Sequence, residues 1–374
     1  MQPQFQPLFT PYTLNNGVTV RNRLAVAPLT HFSSNADGTL STEERTFLKD
    51  RARGFGIFIT AATLVSREGQ GFPGQPFAFS REFLPSLKET ASMIKAQGAL
   101  ALLQIHHAGA LTPPQLLSGT GLQALAPSDG GSARAMTEEE VQHTICAYAA
   151  AAVLAMEAGF DGVEIHGANG YLLQQFYSAK TNRRTDAWGG SREKRMAMPL
   201  EVAREVCAAR EQAGRRDFII GYRFSPEEEG EHGLDMQDTY ALIDELKKLP
   251  LQYLHLSLHD FYRKVRSGDD TSLLRVCGVH RRIGRALPLM AVGGLYTGDD
   301  FARAFATGCC EFLAAGRSVL LNPGLAEKIE QGREEEIVTE LDPRRPDHYS
   351  LPSWLWNRCC TSNDWRIPLP RPKK

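Results

Sequence analysis

The sequence predicts a (β/α)8 barrel with a hairpin cap at its amino-terminal end. Strand-like and helix-like segments alternate eight times along the 374 residues. The strand-like segments are short and apolar on both faces, as parallel strands covered by helices are. No Gly-x-Gly-x-x-Gly follows the first of them, where a doubly wound nucleotide-binding sheet more often carries one.

In chain order, residues 12–20 hold an Asn16-Gly17 turn between two extended pieces. This is a hairpin signal, and such a hairpin can plug the bottom of a barrel. Strands are expected over residues 24–28, 56–63, 100–105, 162–166, 218–224, 253–257, 289–293 and 312–315. Helices are expected over 42–53, 82–97, 138–158, 192–212, 236–248, 271–286, 299–307 and 325–331. Thr137-Glu-Glu-Glu140 and Ser41-Thr-Glu-Glu44 look like capping boxes, in which a hydroxyl and a returning carboxylate satisfy backbone donors. Pro199 is expected to kink or loosen the fourth helix, because its ring displaces a helical hydrogen bond. The insertion over 111–136, rich in Gly, Pro, Ser and Thr, is expected to form a lid over the site. The barrel is expected to span 1–335, with a tail over 336–374 packed on it or on a neighbouring subunit.

With 42% hydrophobic and 23% charged residues, the composition is that of a soluble globular protein. A formal net charge of -1 argues against a nucleic-acid partner, which would want a basic surplus. The longest nearly apolar run, 145–156, is too short to cross a bilayer, so no membrane partner is expected. Met1-Gln-Pro-Gln-Phe-Gln-Pro7 has neither a basic start nor an apolar run and does not read as a signal peptide. Seven cysteines without a Cys-x-x-Cys exclude zinc-ribbon and iron–sulfur spacings and favour reduced thiols. The expectation is a cytoplasmic protein acting on a small molecule, with homo-oligomerisation open.

The chemistry concentrates in Gly159-Phe-Asp-Gly-Val-Glu-Ile-His-Gly-Ala-Asn-Gly-Tyr171. A short buried strand ends in His166, Asn169 and Tyr171, two hydrogen-bonding groups and a phenol at the carboxyl end of a barrel strand, where such folds place their chemistry. Ala314-Ala-Gly-Arg-Ser318 and Val292-Gly-Gly294 end the last two strands, where many barrels bind phosphate. Gly293, Gly294 and Gly316 offer bare backbone, and Arg317 can hold a phosphate bidentately. Arg223 lies in an apolar strand, so it faces either a ligand or an internal acid such as Glu164. Gln104 and His106 share one side of the third strand by its period of two. A buried glutamine both donates and accepts, as a pyrimidine edge requires.

These motifs together resemble the Old Yellow Enzyme family of flavin-dependent ene-reductases. The resemblance covers roughly Gln6 to Glu330. Arg23-Leu-Ala-Val-Ala-Pro-Leu-Thr30 is similar to the family's first strand, Leu103-Gln-Ile-His-His-Ala-Gly109 to its third, and Arg184-Thr-Asp-Ala-Trp-Gly-Gly-Ser-Arg-Glu-Lys-Arg195 to the loop after its catalytic tyrosine. Tyr222-Arg-Phe-Ser-Pro226 and Ala315-Gly-Arg317 complete the set. The resemblance implies FMN, with NADH or NADPH as reductant and no metal. By it, Ala27, Pro28, Leu29, Thr30, Ala62, Gln104, Arg223, Gly293, Gly294, Gly316 and Arg317 contact the flavin. His166 and Asn169 hold the oxygen of an α,β-unsaturated carbonyl compound, with His106 in the substrate pocket, and Tyr171 is the acid that protonates carbon. His106 and Ala110 depart from residues that relatives keep, and the role of His31 stays open. A non-catalytic flavin module and a quinone reductase are the alternatives. A metal-dependent barrel hydrolase lacks its ligands on the first strand.

Overall fold

The structure, a computed structural model, describes residues 1–268, 270–361 and 367–368. A 3-10 turn over Pro3–Phe9 leads into an antiparallel hairpin of β1 (Tyr12–Thr13) and β2 (Thr19–Val20). Then come β3 (Leu24–Val26), α1 (Thr42–Leu48), β4 (Ile57–Ile59), the short β5 (Thr63–Leu64), α2 (Leu84–Lys95) and β6 (Leu100–His106). Two-residue strands β7 (Leu125–Ala126) and β8 (Arg134–Ala135) precede α3 (Glu138–Ala158) and β9 (Gly162–Gly167). The chain continues through α4 (Leu172–Tyr177), α5 (Arg192–Gln212), β10 (Ile219–Phe224), α6 (Met236–Leu246) and β11 (Tyr253–Leu256). It goes on through α7 (Arg275–Ile283), β12 (Leu289–Val292), α8 (Gly298–Ala306), β13 (Phe312–Ala315), α9 (Arg317–Leu321) and α10 (Leu325–Glu330). The segment beyond carries α11 (Pro346–Tyr349) and α12 (Ser353–Thr361).

Among the described residues, eight parallel strands close into a barrel in the order β3, β4, β6, β9, β10, β11, β12, β13, with β13 pairing back to β3. The (β/α)8 fold expected from the alternation is therefore what forms. Side chains alternate between two apolar clusters, as a period of two demands. Leu103, Ile105, Val163, Ile165, Ile220 and Tyr222 pack outward in the cluster shared with the helices. Ile57, Ile59, Leu102, Ile219, Tyr253 and Met290 pack inside the barrel, joined by Leu14 and Val20 of the hairpin. The hairpin thus plugs the amino-terminal end, with Tyr12 edge-on to Phe312 at 5.2 Å.

Local chemistry sets the element ends. Thr137 and Glu140 form a complete capping box on α3, and Gly159 ends that helix at φ 85°. At α1, Ser41 accepts from the Glu44 amide, but the Glu44 carboxylate turns to Ser34 and His31 instead of returning. The helix is continuous past Pro199, which is buried in α5. α7 begins at Arg275 rather than 271, because Asp270 accepts from Ser272 in a turn and Leu274 stays extended.

Two further expectations are corrected. None of residues 111–136 lines the cavity at the barrel mouth. Arg184 holds that insertion to the side instead, donating to Pro127 O at 3.2 Å and Met136 O at 2.6 Å, while Arg183 N donates to Ser128 Oγ. Nor are all seven cysteines reduced. Cys277 on α7 and Cys309 after α8 form a disulfide, their Cα atoms 4.8 Å apart, within the span a disulfide bridges. A separation of 32 residues gave no hint of this pairing.

The carboxyl-terminal segment lies against α1. Arg51, fully buried, donates to Phe47 O and Tyr349 O. Ser353 Oγ donates to Glu43 at 2.6 Å, and the Trp354 ring sits 3.8 Å from Phe32. The rest of the expected tail, 362–366 and 369–374, lies outside the described residues.

Candidate active site

The carboxyl ends of the barrel strands surround a cavity of about 700 Å³. Ala27, Pro28, Leu29, Thr30, Ala62, Gln104, His166, Asn169, Tyr171, Arg223, Gly293, Gly294, Gly316 and Arg317, all singled out from sequence, line it. His106 does not. It is wholly buried behind the wall, its ring 4.5 Å from that of Tyr171 and 5.1 Å from that of His166.

The floor is a charged network inside the barrel. Glu164 points inward from β9 and accepts from Gln104 Nε2 at 2.7 Å, from Tyr253 OH at 2.9 Å and from His255 Nδ1 at 2.8 Å. Burial alone would raise the Glu164 pKa, but its contact with His255, the Arg223 charge and the Tyr253 hydrogen bond hold it below the ordinary carboxylate value. It is therefore an anion, and it balances the buried Arg223 cation two strand positions up. Gly221 makes the network possible, since a Cβ there would stand 2.1 Å from the Tyr253 ring.

The Arg223 guanidinium does not pair directly with Glu164. It donates to Ser257 Oγ at 3.1 Å, while its Nε is buried with no protein partner. Ser257 Oγ in turn donates to Asn169 Oδ1 at 2.8 Å, and Ser225 Oγ accepts from Asn169 N at 2.9 Å. Asn169 adopts a left-handed φ of 59°, which asparagine tolerates, followed by Gly170 at 75°. That reversal brings Tyr171 back to the cavity at the N-cap of α4.

Burial, then the Arg223 charge, lowers the His166 pKa to about 3, so the ring is neutral. Burial raises the Tyr171 pKa, keeping the phenol protonated. On the far wall Arg317 donates to His259 O at 3.2 Å and lies over the Tyr296 ring. Ser257, the Glu164–His255–Tyr253 cluster and Phe72 were not anticipated from the sequence. The period of two over the expected strand 253–257 could have flagged Tyr253, His255 and Ser257 as inward together.

These residues fit the flavin that the motifs imply. Arg223, a cation only 8% exposed, lines the cavity and keeps donors beyond the one it gives Ser257, and a buried donor is costly unless a ligand takes it. A Cβ on Gly316 would meet nothing nearer than Leu29 Cδ2 at 3.9 Å, so protein packing does not demand glycine there. Its missing side chain leaves room in the cavity itself.

Residues 7–336 match the NADH:flavin oxidoreductase / NADH oxidase family. A probable NADH-dependent flavin oxidoreductase of Bacillus subtilis is 44% identical over 98% of this chain and 99% of its own. Among solved structures, an Old Yellow Enzyme homologue from Zymomonas mobilis superposes with a TM-score of 0.77 at 25% identity, over 92% of this chain and 99% of that one. A morphinone reductase in complex with tetrahydroNAD gives 0.77 at 26% identity, over 92% and 97%. The resemblance in the motifs is thereby borne out: the chain belongs to the NADH:flavin oxidoreductase / NADH oxidase family and is an enzyme of the Old Yellow Enzyme type, with FMN as cofactor and a nicotinamide dinucleotide as reductant.

Proposed function

We propose that this enzyme reduces activated C=C bonds of α,β-unsaturated carbonyl compounds. The observation that carries the reading is the meeting of His166, Asn169 and Tyr171 on one wall of the cavity, above a floor of Gln104 and Arg223. Bound FMN supplies the hydride relay between the dinucleotide and the acceptor. Gln104 and Arg223 hold it from the floor, residues 27–30 and Ala62 border it, and Arg317 with Gly293, Gly294 and Gly316 holds its phosphate. His166 and Asn169 bind the carbonyl oxygen of the acceptor, and their donors stabilise the charge that develops there. Asn169 is well suited, because Ser257 occupies its carbonyl and leaves its amide hydrogens for a ligand. Tyr171 delivers the proton to the α-carbon of the acceptor from its OH. Arg223 and Ser257 keep Asn169 in position throughout.

A similar structure, a morphinone reductase in complex with tetrahydroNAD, supports the binding of a nicotinamide dinucleotide here. The test is direct. The purified protein should be yellow, should bleach anaerobically with NADH or NADPH, and should regain colour with enones. A para-substituted phenol, as a stand-in for the enolate, should give a long-wavelength charge-transfer band. His166→Ala should weaken that binding by about 2–4 kcal/mol, the size of a charge-assisted hydrogen bond left unmade. Reoxidation by quinones with none by enones would favour the quinone-reductase reading instead.

A further inference from the structure

We propose that Arg263 and Arg266, on the loop between β11 and α7, form a docking site at the rim of the flavin cavity for an anionic group, phosphoryl or carboxylate, carried by the second ligand. This rests on the flavin-reductase reading of the cavity and adds the chemical class of what its outer part receives. Both arginines line the same cavity as His166, Asn169 and Tyr171.

Backbone hydrogen bonds hold the described residues on either side of the arginines as a ledge. Val265 N donates to Leu273 O at 2.9 Å, Arg275 N to Arg263 O at 3.0 Å, and Arg275 Nε to Lys264 O at 3.0 Å. Lys264 and Leu274 pair as an antiparallel bridge. Arg266 N donates to Glu227, whose side chain is 1% exposed and anchors the ledge from below. For residues 263–266 part of the ordering entropy is therefore already met before a ligand arrives, which favours binding.

Four acids, Glu227, Glu228, Glu229 and Asp260, line the same cavity, and each has a partner of its own. Glu227 pairs with Arg275 at 2.5 Å, the Glu228 carboxylate accepts from Ser178 Oγ, and Asp260 accepts from Tyr262 N. Glu229 approaches Arg263 only at 3.5 Å, and with side chains 84% and 53% exposed that pair is screened by water. Arg266 has no ion-pair partner among the described residues. Burial first, and then the Arg263 and Arg266 charges, lower the proton affinity of Arg275, so the three arginines form one cluster. This arginine cluster is local and stands beside the four carboxylates, in a chain whose formal net charge is -1. It is also separate from Arg317, Gly294 and Gly316, which belong to the loops after β12 and β13.

Two sources carry the matching group: the phosphates of the nicotinamide dinucleotide, and a carboxylate on the acceptor. The test uses the FMN-loaded enzyme, R263Q/R266Q and R263K/R266K, with binding read from perturbation of the flavin spectrum. Probes are NAD+ and NADP+, 4-hydroxycinnamate as a carboxylate-bearing phenol, and 4-hydroxybenzaldehyde as the phenol without a carboxylate. We expect R263Q/R266Q to weaken at least one anionic probe by about tenfold, the scale of lost charge-assisted contacts. The aldehyde should be unaffected, and the lysine variant should recover part of the loss. In wild type the advantage should shrink at about 0.5 M salt, where screening extends only a few Å. Loss confined to the dinucleotides assigns the phosphoryl source, and loss confined to the cinnamate assigns the carboxylate. Unchanged binding of every anionic probe, or an equal loss for the aldehyde, overturns the inference while leaving the reductase reading intact. A wild-type protein that takes up no flavin overturns both.

Discussion

Ser257 links Arg223 to Asn169: Arg223 Nη2 donates to its Oγ at 3.1 Å, and that Oγ donates onward to Asn169 Oδ1 at 2.8 Å. Arginine can only donate, so the single proton of the serine goes to the asparagine, and the asparagine amide hydrogens are left for another acceptor. One hydroxyl thus ties the cation at the cavity floor to the group that would grip the acceptor. Ser257→Ala should weaken phenol binding by about 0.5–1.5 kcal/mol, the worth of a single hydrogen bond, without loss of flavin. Ser257→Thr, which keeps the hydroxyl, should restore most of it. Unaltered binding in Ser257→Ala would show that Asn169 needs no such support.

Tyr171 is protonated well above neutral pH, because burial raises its pKa. Tyr171→Phe should slow enone reduction by about 10²-fold or more, the usual scale for a lost general acid. Quinone reduction and flavin reduction by the dinucleotide should hardly change, since neither needs a proton on carbon. Equal losses with both acceptors in stopped-flow experiments would remove Tyr171 from that role.

Gly316 borders open cavity rather than protein, with its nearest contact at 3.9 Å. Gly316→Val should therefore fold with a near-normal melting curve yet fail to retain FMN through purification. Full flavin content in that variant would place the phosphate elsewhere.

Four histidines, 106, 107, 166 and 255, are buried, and burial is the leading cause that lowers the pKa of each. Folded, they stay neutral down to about 4 for His107 and about 3 for His166. Unfolded, each takes a proton as pH falls through about 6.5. The unfolded state then binds more protons, so stability is intact above 6.5 and declines below it, by up to ~1.4 kcal/mol per pH unit per histidine. Denaturant midpoints should fall steeply from pH 6.5 to 4 and stay insensitive to these groups from pH 7 to 9. A flat profile between pH 7 and 5 would contradict their burial as neutral rings.

The Cys277–Cys309 disulfide should be visible as five titratable thiols in the denatured, unreduced protein, matching Cys146, Cys207, Cys310, Cys359 and Cys360. Closing a loop of 32 residues in sequence is worth roughly 3–4 kcal/mol to the folded state by chain entropy. Reduction should lower the melting temperature accordingly. Seven thiols without reductant would show that the pair does not form.

Much of this enzyme is determined by sequence alone. Strand periodicity places Gln104, Glu164, His166 and Arg223 inside the barrel, because side chains alternate and a parallel barrel leaves only two faces. Thr137 and Gly159 bound α3, and Asn16-Gly17 turns the hairpin, because capping and turn chemistry act within a few residues. The tertiary structure alone decided what meets across strands. Glu164 reaches Tyr253 and His255 from 89 and 91 positions away, and Ser257 reaches Asn169 from 88. His106 was legible as inward-facing, yet only packing put it behind Tyr171 instead of in the cavity. The insertion over 111–136 has the composition of a mobile loop, but Arg184 pins its backbone to the side of the barrel. Local rules fix the direction of a side chain relative to its own backbone, whereas its partners depend on the register and closure of the whole barrel, which no short window of sequence contains.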